Sequence, residues 1–313
     1  MWQEGAIFVS SSPLCTVIVP TYNRKRLLEL TLDSLGRQNL PRDRFEVLVV
    51  DDGSSDGTAA MVRTFENRLD LRYFFQADKG YRVALARNVG ISHARGEICV
   101  FVDAGVLLHS EAMSAHVASH EAAAGPLVLN GYVFCFNLNN EDAALIRKFV
   151  DVDDVDTTIA SMARTGAWPD LREDFYSRYT DDFDHVPAPW LMHWGCHASA
   201  RTEQVRAVGM CDEAFRQWGG EDIDLGYRLH RAGARFAVSR AASSIHYPHD
   251  KDHTDNAKSA HHNYRYIARK YRTPITQLLT EVPEIDFGTL NEVIQERGLP
   301  SCADHVSHGE ATG

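Results

Sequence analysis

No stretch of this 313-residue chain clusters lysine and arginine, and the formal net charge is −11. That argues against a nucleic-acid backbone or an anionic membrane surface as the main partner. No apolar run reaches the length of a membrane span, and the N-terminus lacks the basic start and long apolar segment of a secretory signal. The expectation is a cytoplasmic protein without an integral membrane segment, peripheral at a membrane if its substrate is there. The six cysteines, at 15, 99, 135, 196, 211 and 302, show neither a Cys-x-x-Cys pair nor a zinc-ligand spacing, so reduced thiols are expected. Also missing are Gly-x-Gly-x-x-Gly between the first strand and helix and Gly-x-x-x-x-Gly-Lys-Ser/Thr anywhere, which removes the main support for dinucleotide and P-loop sites. A nucleotide bound here must be held by side chains.

What the chain does carry is apolar material, 44% of its residues, enough for a substantial core. Cys15-Thr-Val-Ile-Val-Pro20 is a short β-branched run, followed by the polar Thr21-Tyr-Asn-Arg24 and a helical pattern through Leu27, Leu28, Leu32 and Leu35. Further strands are expected at 45–50, 71–76 and 98–102. Helices are expected after Asp56 or Thr58, either of which can cap, at 83–94 and at 110–123. Continuous apolar strands alternating with amphipathic helices predict an α/β fold, a mostly parallel central sheet flanked by helices. In such sheets ligands collect outside the carboxyl ends of the strands. Polar clusters stand where that rule asks for them: Thr21 to Arg24, Asp51 with Asp52, and Asp103. Tyr22 offers a ring for a base to stack on, and an aspartate accepts hydrogen bonds from base N–H groups or ribose hydroxyls.

Past residue 124 the pattern is less regular. A strand is expected at 127–136, a solvated helix end or mobile loop in the acidic run 141–158, and a long site-lining loop at 166–190. A strand at 193–200 and a short helix at 202–208 lead to Arg216-Gln-Trp-Gly-Gly-Glu-Asp-Ile-Asp-Leu-Gly-Tyr-Arg228. There Gly219 and Gly220 permit a tight turn, and Glu221 and Asp222 open a helix whose N-terminal dipole favours negative charge. Such a turn either aims a carboxylate into a cleft or merely supplies an acidic helix start; Trp218 beside it and the strand-end clusters upstream favour the first. Two short strands, 234–238 and 243–247, are expected next, the second ending at His246 and followed by His249. Helices at 256–272 and 286–297 close the chain, with residues 1–13 as a flexible lead-in and 301–313 as a disordered tail.

Pro20-Thr-Tyr-Asn-Arg24, Val49-Val-Asp-Asp-Gly-Ser-Ser-Asp-Gly-Thr58, Lys79-Gly80 with Ala86-Arg-Asn-Val-Gly90, and Val100-Phe-Val-Asp103 together resemble the family 2 glycosyltransferases of GT-A fold. Trp194-Gly-Cys-His through Trp218-Gly-Gly-Glu-Asp222 and Tyr227-Arg-Leu resembles the C-terminal part of the family 7 galactosyltransferases. The likeness runs over residues 15–250. It implies a nucleotide-sugar-binding half at 14–125, an acceptor-binding and catalytic half of the same domain at 126–250, a helical extension at 251–300 and the tail at 301–313.

The resemblance also implies roles. Pro20 and Tyr22 line the base pocket and Asp52 binds the base. Arg87 lies near the donor's sugar or phosphates, and Arg24, Trp218 and Gly220 also border the donor. Asp103 contacts ribose or a metal, His246 ligates that metal, and Glu221 and Asp222 orient and deprotonate the acceptor hydroxyl. The sequence departs from the family pattern at Asp103-Ala104-Gly105, where Gly105 replaces the second carboxylate of the Asp-x-Asp motif. The implied cofactor, Mn or Mg, therefore loses one ligand. The expected function is inverting transfer of a sugar from a nucleotide donor, in the first place a UDP-sugar, to a hydroxyl on a glycan, lipid, protein or small natural product. The alternatives are a non-catalytic nucleotide-sugar-binding protein and a sugar nucleotidyltransferase.

Overall fold

In β1 (Cys15–Thr21), Val17 and Val19 project to one face and Ile18 to the other, and all seven residues are buried. A strand buried on both faces needs covering layers on both, and the helices supply them. The computed structural model describes residues 12–136, 141–282 and 286–302. Its sheet has eight strands: β1, β2 (Phe45–Asp51), β3 (Leu71–Phe75), β4 (Ile98–Val102), β5 (Val106–Leu108), β6 (Leu127–Phe134), β7 (His197–Arg201) and β8 (Arg235–His246), in the order β3-β2-β1-β4-β7-β6-β8-β5. The expected α/β fold is present. Strands β3, β2, β1 and β4 run parallel, whereas β7 is antiparallel to both its neighbours and β5 is antiparallel to β8. Helices Lys25–Leu35, Thr58–Arg63 and Val83–His93 link the parallel strands.

Register decides which polar groups meet. Thr21 pairs with Asp51, and the Asp52 amide donates to the Thr21 carbonyl at 2.9 Å, so the loops after β1 and β2 leave the sheet together. Beyond β4, Gly105 adopts φ +104°, where an L side chain is strained, and the chain turns into β5. This three-residue strand was not expected; so short a run has no readable period. It pairs Val106 with His246, and the Tyr247 amide donates to the Gly105 carbonyl at 2.8 Å, which carries the end of β8 to the Asp103 turn.

Other departures have physical reasons. The two strands expected at 234–238 and 243–247 are one, β8, whose pairing with β6 shifts register between Gly131 and Tyr132. The strand expected from 193 starts at His197, and His193 is buried instead. The region 166–190 is not a long site-lining loop: it holds helix Glu173–Tyr179, and Phe175, Tyr176, Phe183 and Trp190 enter the core. Burying those aromatics outweighs leaving them on a mobile loop. In the acidic run, Asp154 caps helix Val155–Thr165 by accepting from the Thr157 amide, and Asp156 accepts from Ser110 at 2.8 Å. The expected lead-in and tail fall mostly outside the described residues, although Cys302 is buried. Among the described residues no helix is long and apolar enough to cross a membrane.

One polar seam crosses the sheet's interior. His116 contacts His197 at 3.0 Å and Ser199 at 2.8 Å, His120 contacts Ser199 at 2.9 Å, and His197 contacts Ser244 at 2.9 Å. Burial first, then neighbouring positive charge, pushes these imidazoles below their ordinary 6.5: His120 to about 4, His197 to about 3 and His116 well down. Unfolding restores the ordinary value, so below pH 6.5 the unfolded chain binds protons that the native chain refuses. Stability is expected to be full above pH 6.5 and to fall through the window from 6.5 towards 4. Urea unfolding midpoints across that window test this, and His120→Gln should flatten the slope; a slope unchanged in the variant would exonerate the seam.

Candidate active site

Helix Glu221–Arg231 begins at a turn that only glycine fits easily. Gly219 and Gly220 have φ of +86° and +91°, and a Cβ on either would come within 3.3 Å of Ala260 or Asn263. Those neighbours belong to helix His253–Tyr271. Asn263, itself buried, donates from Nδ2 to the carbonyls of Gln217, Trp218 and Gly219 at 3.2, 3.3 and 2.6 Å. Lower on the same helix, Lys270 and Tyr271 each reach Asp224 at 2.6 Å. The turn is thus gripped from outside its own segment.

From that turn Glu221 and Asp222 enter a buried junction. Arg87, buried on helix Val83–His93, donates from Nη1 to Glu221 at 2.7 Å and from Nη2 to Asp103 at 3.1 Å, with the Gly195 carbonyl at 3.5 Å. Asp222 accepts from the Gly195 amide at 3.1 Å and from the Ile223 amide at 2.8 Å. One guanidinium therefore ties the end of β4 to the opening of the Glu221 helix. Burial raises both carboxyls above their ordinary values. For Glu221 the Asp222 charge adds to the rise and Arg87 opposes it; for Asp222, Arg87 and the two backbone amides oppose it. Two carboxyls so close titrate as a pair. Tyr81, 40% exposed, stands where the charges of Glu221, Arg87, Asp103 and Asp222 act on its hydroxyl, and Tyr264 is near both Glu221 and Asp222.

The residues expected to hold a base stand at the ends of β1 and β2. Asp52 is nearly buried and accepts from Gln76 at 2.7 Å, from the Arg82 amide at 3.0 Å and from Arg82 Nη2 at 2.5 Å. Pro20 is buried in β1, while Tyr22 is 45% exposed and donates to Asp78 at 2.8 Å. Arg24 reaches His249 at 2.6 Å, and Trp218 is 37% exposed beside its glycines. Asp51 is spoken for by the amides of Gly53 and Ser54 and by the Tyr73 hydroxyl.

The expected metal ligands are placed less persuasively. His246 is buried between the rings of Phe136 and His249, at 4.8 and 5.3 Å, and its neighbours Lys251, His249 and Arg24 add to burial in holding it neutral. Asp103 is bonded to Arg87, and Gly105 offers no donor atom. Among the described residues no group of three or more His, Cys, Asp or Glu side chains is arranged to hold a metal ion. Asp103 and His246 therefore offer two donors at most, so a divalent ion here would have to complete its shell with oxygens of a bound ligand.

A model of glycosyl transferase family 2 matches residues 16–148, and one described as the N-terminal domain of galactosyltransferase matches residues 181–253. The uncharacterized glycosyltransferase YfnE of Bacillus subtilis is 30% identical over 281 residues, 82% of this chain and 70% of that protein. The chain belongs to the family 2 glycosyltransferases. This family member is also 36% identical over 273 residues, 87% of its length, to a validoxylamine A glucosyltransferase of Streptomyces hygroscopicus subsp. jinggangensis, of which it spans 64%. Among solved structures it resembles Staphylococcus aureus TarS 1–349 in complex with UDP-GlcNAc, with a TM-score of 0.62 and 18% identity over 90% of this chain and 72% of that one. It also resembles the mannosyltransferase PcManGT from Pyrobaculum calidifontis in complex with GDP-Man and Mn2+, with a TM-score of 0.59 and 23% identity over 92% and 75%. At these identities the likeness establishes the GT-A-like fold.

Sequence reasoning missed Gln76, Arg82, Tyr81, Asn263 and Tyr264. Arg82 follows the Lys79-Gly80 pair closely enough to have drawn notice; nothing marks Asn263, because its role depends on where the last long helix docks. Truncating it leaves three turn carbonyls short of a donor. Asn263→Ala is expected to cost about 1–3 kcal/mol of stability and to lower turnover. Normal turnover in the folded variant would show that the turn holds itself.

Proposed function

We propose that this glycosyltransferase moves a hexosyl group from a UDP-sugar to a hydroxyl of a small polyhydroxylated acceptor, with inversion at the anomeric carbon. The observation that carries the reading is the Arg87 bridge, which brings Asp103, at the carboxyl end of β4, against Glu221 and Asp222. A donor site and a pair of carboxylates, Glu221 buried and Asp222 half-buried, then share one junction. The validoxylamine A glucosyltransferase similarity supports a small acceptor, and the TarS complex supports UDP as the nucleotide.

Each side chain has a task in that reaction. Tyr22 stacks on the uracil, and Asp52 accepts from its imide N–H while Arg82 holds the carboxylate in place. Asp222, oriented by two backbone amides, takes the acceptor proton as the oxygen attacks the anomeric carbon. Glu221 anchors a neighbouring acceptor hydroxyl, and Tyr81 and Trp218 flank the sugar. The bond between the anomeric carbon and the diphosphate oxygen breaks with its electron pair on that oxygen. Asp103 and His246 would hold a divalent ion only together with oxygens of the diphosphate, whose charge it would help neutralise, and no step is routed through it.

Asn keeps the shape of Asp222 but takes no proton. Asp222→Asn is expected to leave UDP affinity nearly unchanged and to lower turnover roughly 10²–10⁴-fold; single-turnover assays on folded variant measure it, and near-normal chemistry would move the base elsewhere. A raised carboxyl pKa means that turnover climbs with pH through a limb above the ordinary carboxylate range. Glu221→Gln removes the adjacent negative charge and frees Arg87 to favour ionised Asp222, so the limb should move to lower pH; a limb that stays or rises would contradict the pairing. Asp52→Ala should weaken UDP by about 1.5–3 kcal/mol, read by calorimetry, and an unchanged affinity would remove Asp52 from the donor site.

A further inference from the structure

Tyr264 lies beyond both segments that the family models match, on helix His253–Tyr271, one turn on from Ala260 and next to Asn263. Those two neighbours pack against the glycine turn: a Cβ on Gly219 would meet Ala260, and one on Gly220 would meet Asn263, each at 3.3 Å. The helix therefore brings Tyr264 to the opening of the Glu221 helix. Its ring is half-buried and lies against that of Phe287, with centroids 5.9 Å apart and planes 24° from parallel. One face is thus fixed by the C-terminal segment, while the hydroxyl end is close enough to Asp222 and Glu221 for both charges to act on it. Burial first, then those two carboxylates, push the hydroxyl above its ordinary pKa, so it stays protonated and can donate.

The carboxylate beside it is only half satisfied. Glu221 Oε1 accepts from Arg87, whereas the buried Oε2 has no hydrogen-bond partner among the described residues. A buried carboxylate oxygen without a donor is costly, and a ligand hydroxyl would remove that cost. A hydroxyl that donates to a carboxylate still has lone pairs with which to accept, and the phenol of Tyr264 is a donor suited to them. Carboxylate acceptors and a phenolic donor around one junction match neighbouring hydroxyls on a ring, each of which gives one hydrogen bond and takes another. A lone alcohol would leave part of the set unpaired.

We infer that Tyr264 is a specificity-determining residue of the acceptor site, its hydroxyl donating to a hydroxyl oxygen of a cyclic polyol whose neighbouring hydroxyl is held by Glu221. The inference rests on the function proposed above, in which Asp222 takes the proton of the attacking hydroxyl. A site built to hydrogen-bond a hydroxyl rejects an analogue that lacks it, because its own polar groups are then left unpaired. Acceptor choice is thereby set in part by the C-terminal extension, outside the motif-bearing segments.

The test follows transfer from UDP-glucose and UDP-GlcNAc by the full chain, with glucose, myo-inositol and cellobiose as acceptors and hydrolysis by water counted in the same reaction. Tyr264→Phe keeps the ring against Phe287 and removes only the hydroxyl. It is expected to raise KM for the polyol about tenfold, the worth of one hydrogen bond, with a smaller change in kcat and with UDP affinity retained. Below saturation the ratio of transfer to hydrolysis should fall by the same factor. A purely structural role for Tyr264 would lower transfer and hydrolysis together and keep their ratio; that result, or an unchanged KM, would overturn the assignment and leave the proposed function standing. Wild-type protein that binds UDP yet glycosylates none of the three polyols would overturn the polyol class. Wild-type protein that binds no UDP would overturn the donor reading beneath it as well.

Discussion

A single buried guanidinium holds the site together. Arg87 cannot shed its proton, so burying it costs several kcal/mol unless carboxylates and carbonyls surround it. Asp103, Glu221 and the Gly195 carbonyl do so, and each comes from a different segment of the fold. The same pairing sets the electrostatics of the proposed base. Burial alone would drive Glu221 and Asp222 towards the neutral acid, and the Arg87 charge pulls both back towards the ionised form. In the proposed reaction, donor-side and acceptor-side chemistry are therefore coupled through one side chain.

Around that centre, rigidity is supplied from a distance. Helix His253–Tyr271 lies almost wholly beyond the segments that the two family models match, yet it caps three carbonyls of the Gly219–Gly220 turn and binds Asp224 inside the next helix. Positive φ at both glycines makes the turn intrinsically soft. Packing an asparagine and an alanine against it converts a permissive backbone into a defined one. The C-terminal extension thus belongs to the site as much as the motifs do.

Much of this was legible in the residues themselves. The parallel half of the sheet follows from pattern: β1, β2 and β4 are short, mostly apolar and rich in valine and isoleucine, as strands buried on both faces are. Their polar sequels, Thr21 to Arg24, Asp52 and Asp103, were expected at the strand ends because parallel strands put all their carboxyl ends on one side. The Gly-Gly-Glu-Asp turn was legible too, since two glycines permit a tight turn and the carboxylates after them favour a helix start.

What only the tertiary structure decided is partnership. Arg87 and Glu221 are 134 residues apart, and no local pattern states that they meet; the meeting follows from β7 inserting antiparallel beside β4 and carrying the Trp194 to Cys196 segment under the helix start. The region 166–190 looked like a loop by composition and became core, because aromatic burial depends on neighbours that composition does not name. The arrival of His246 beside the turn after β4 depends on β5, three residues long, pairing with the end of β8. Local period determined the strands, the helices and the turn; long-range pairing decided which charges face one another, because electrostatic partnership is set by distance in space and not by distance along the chain.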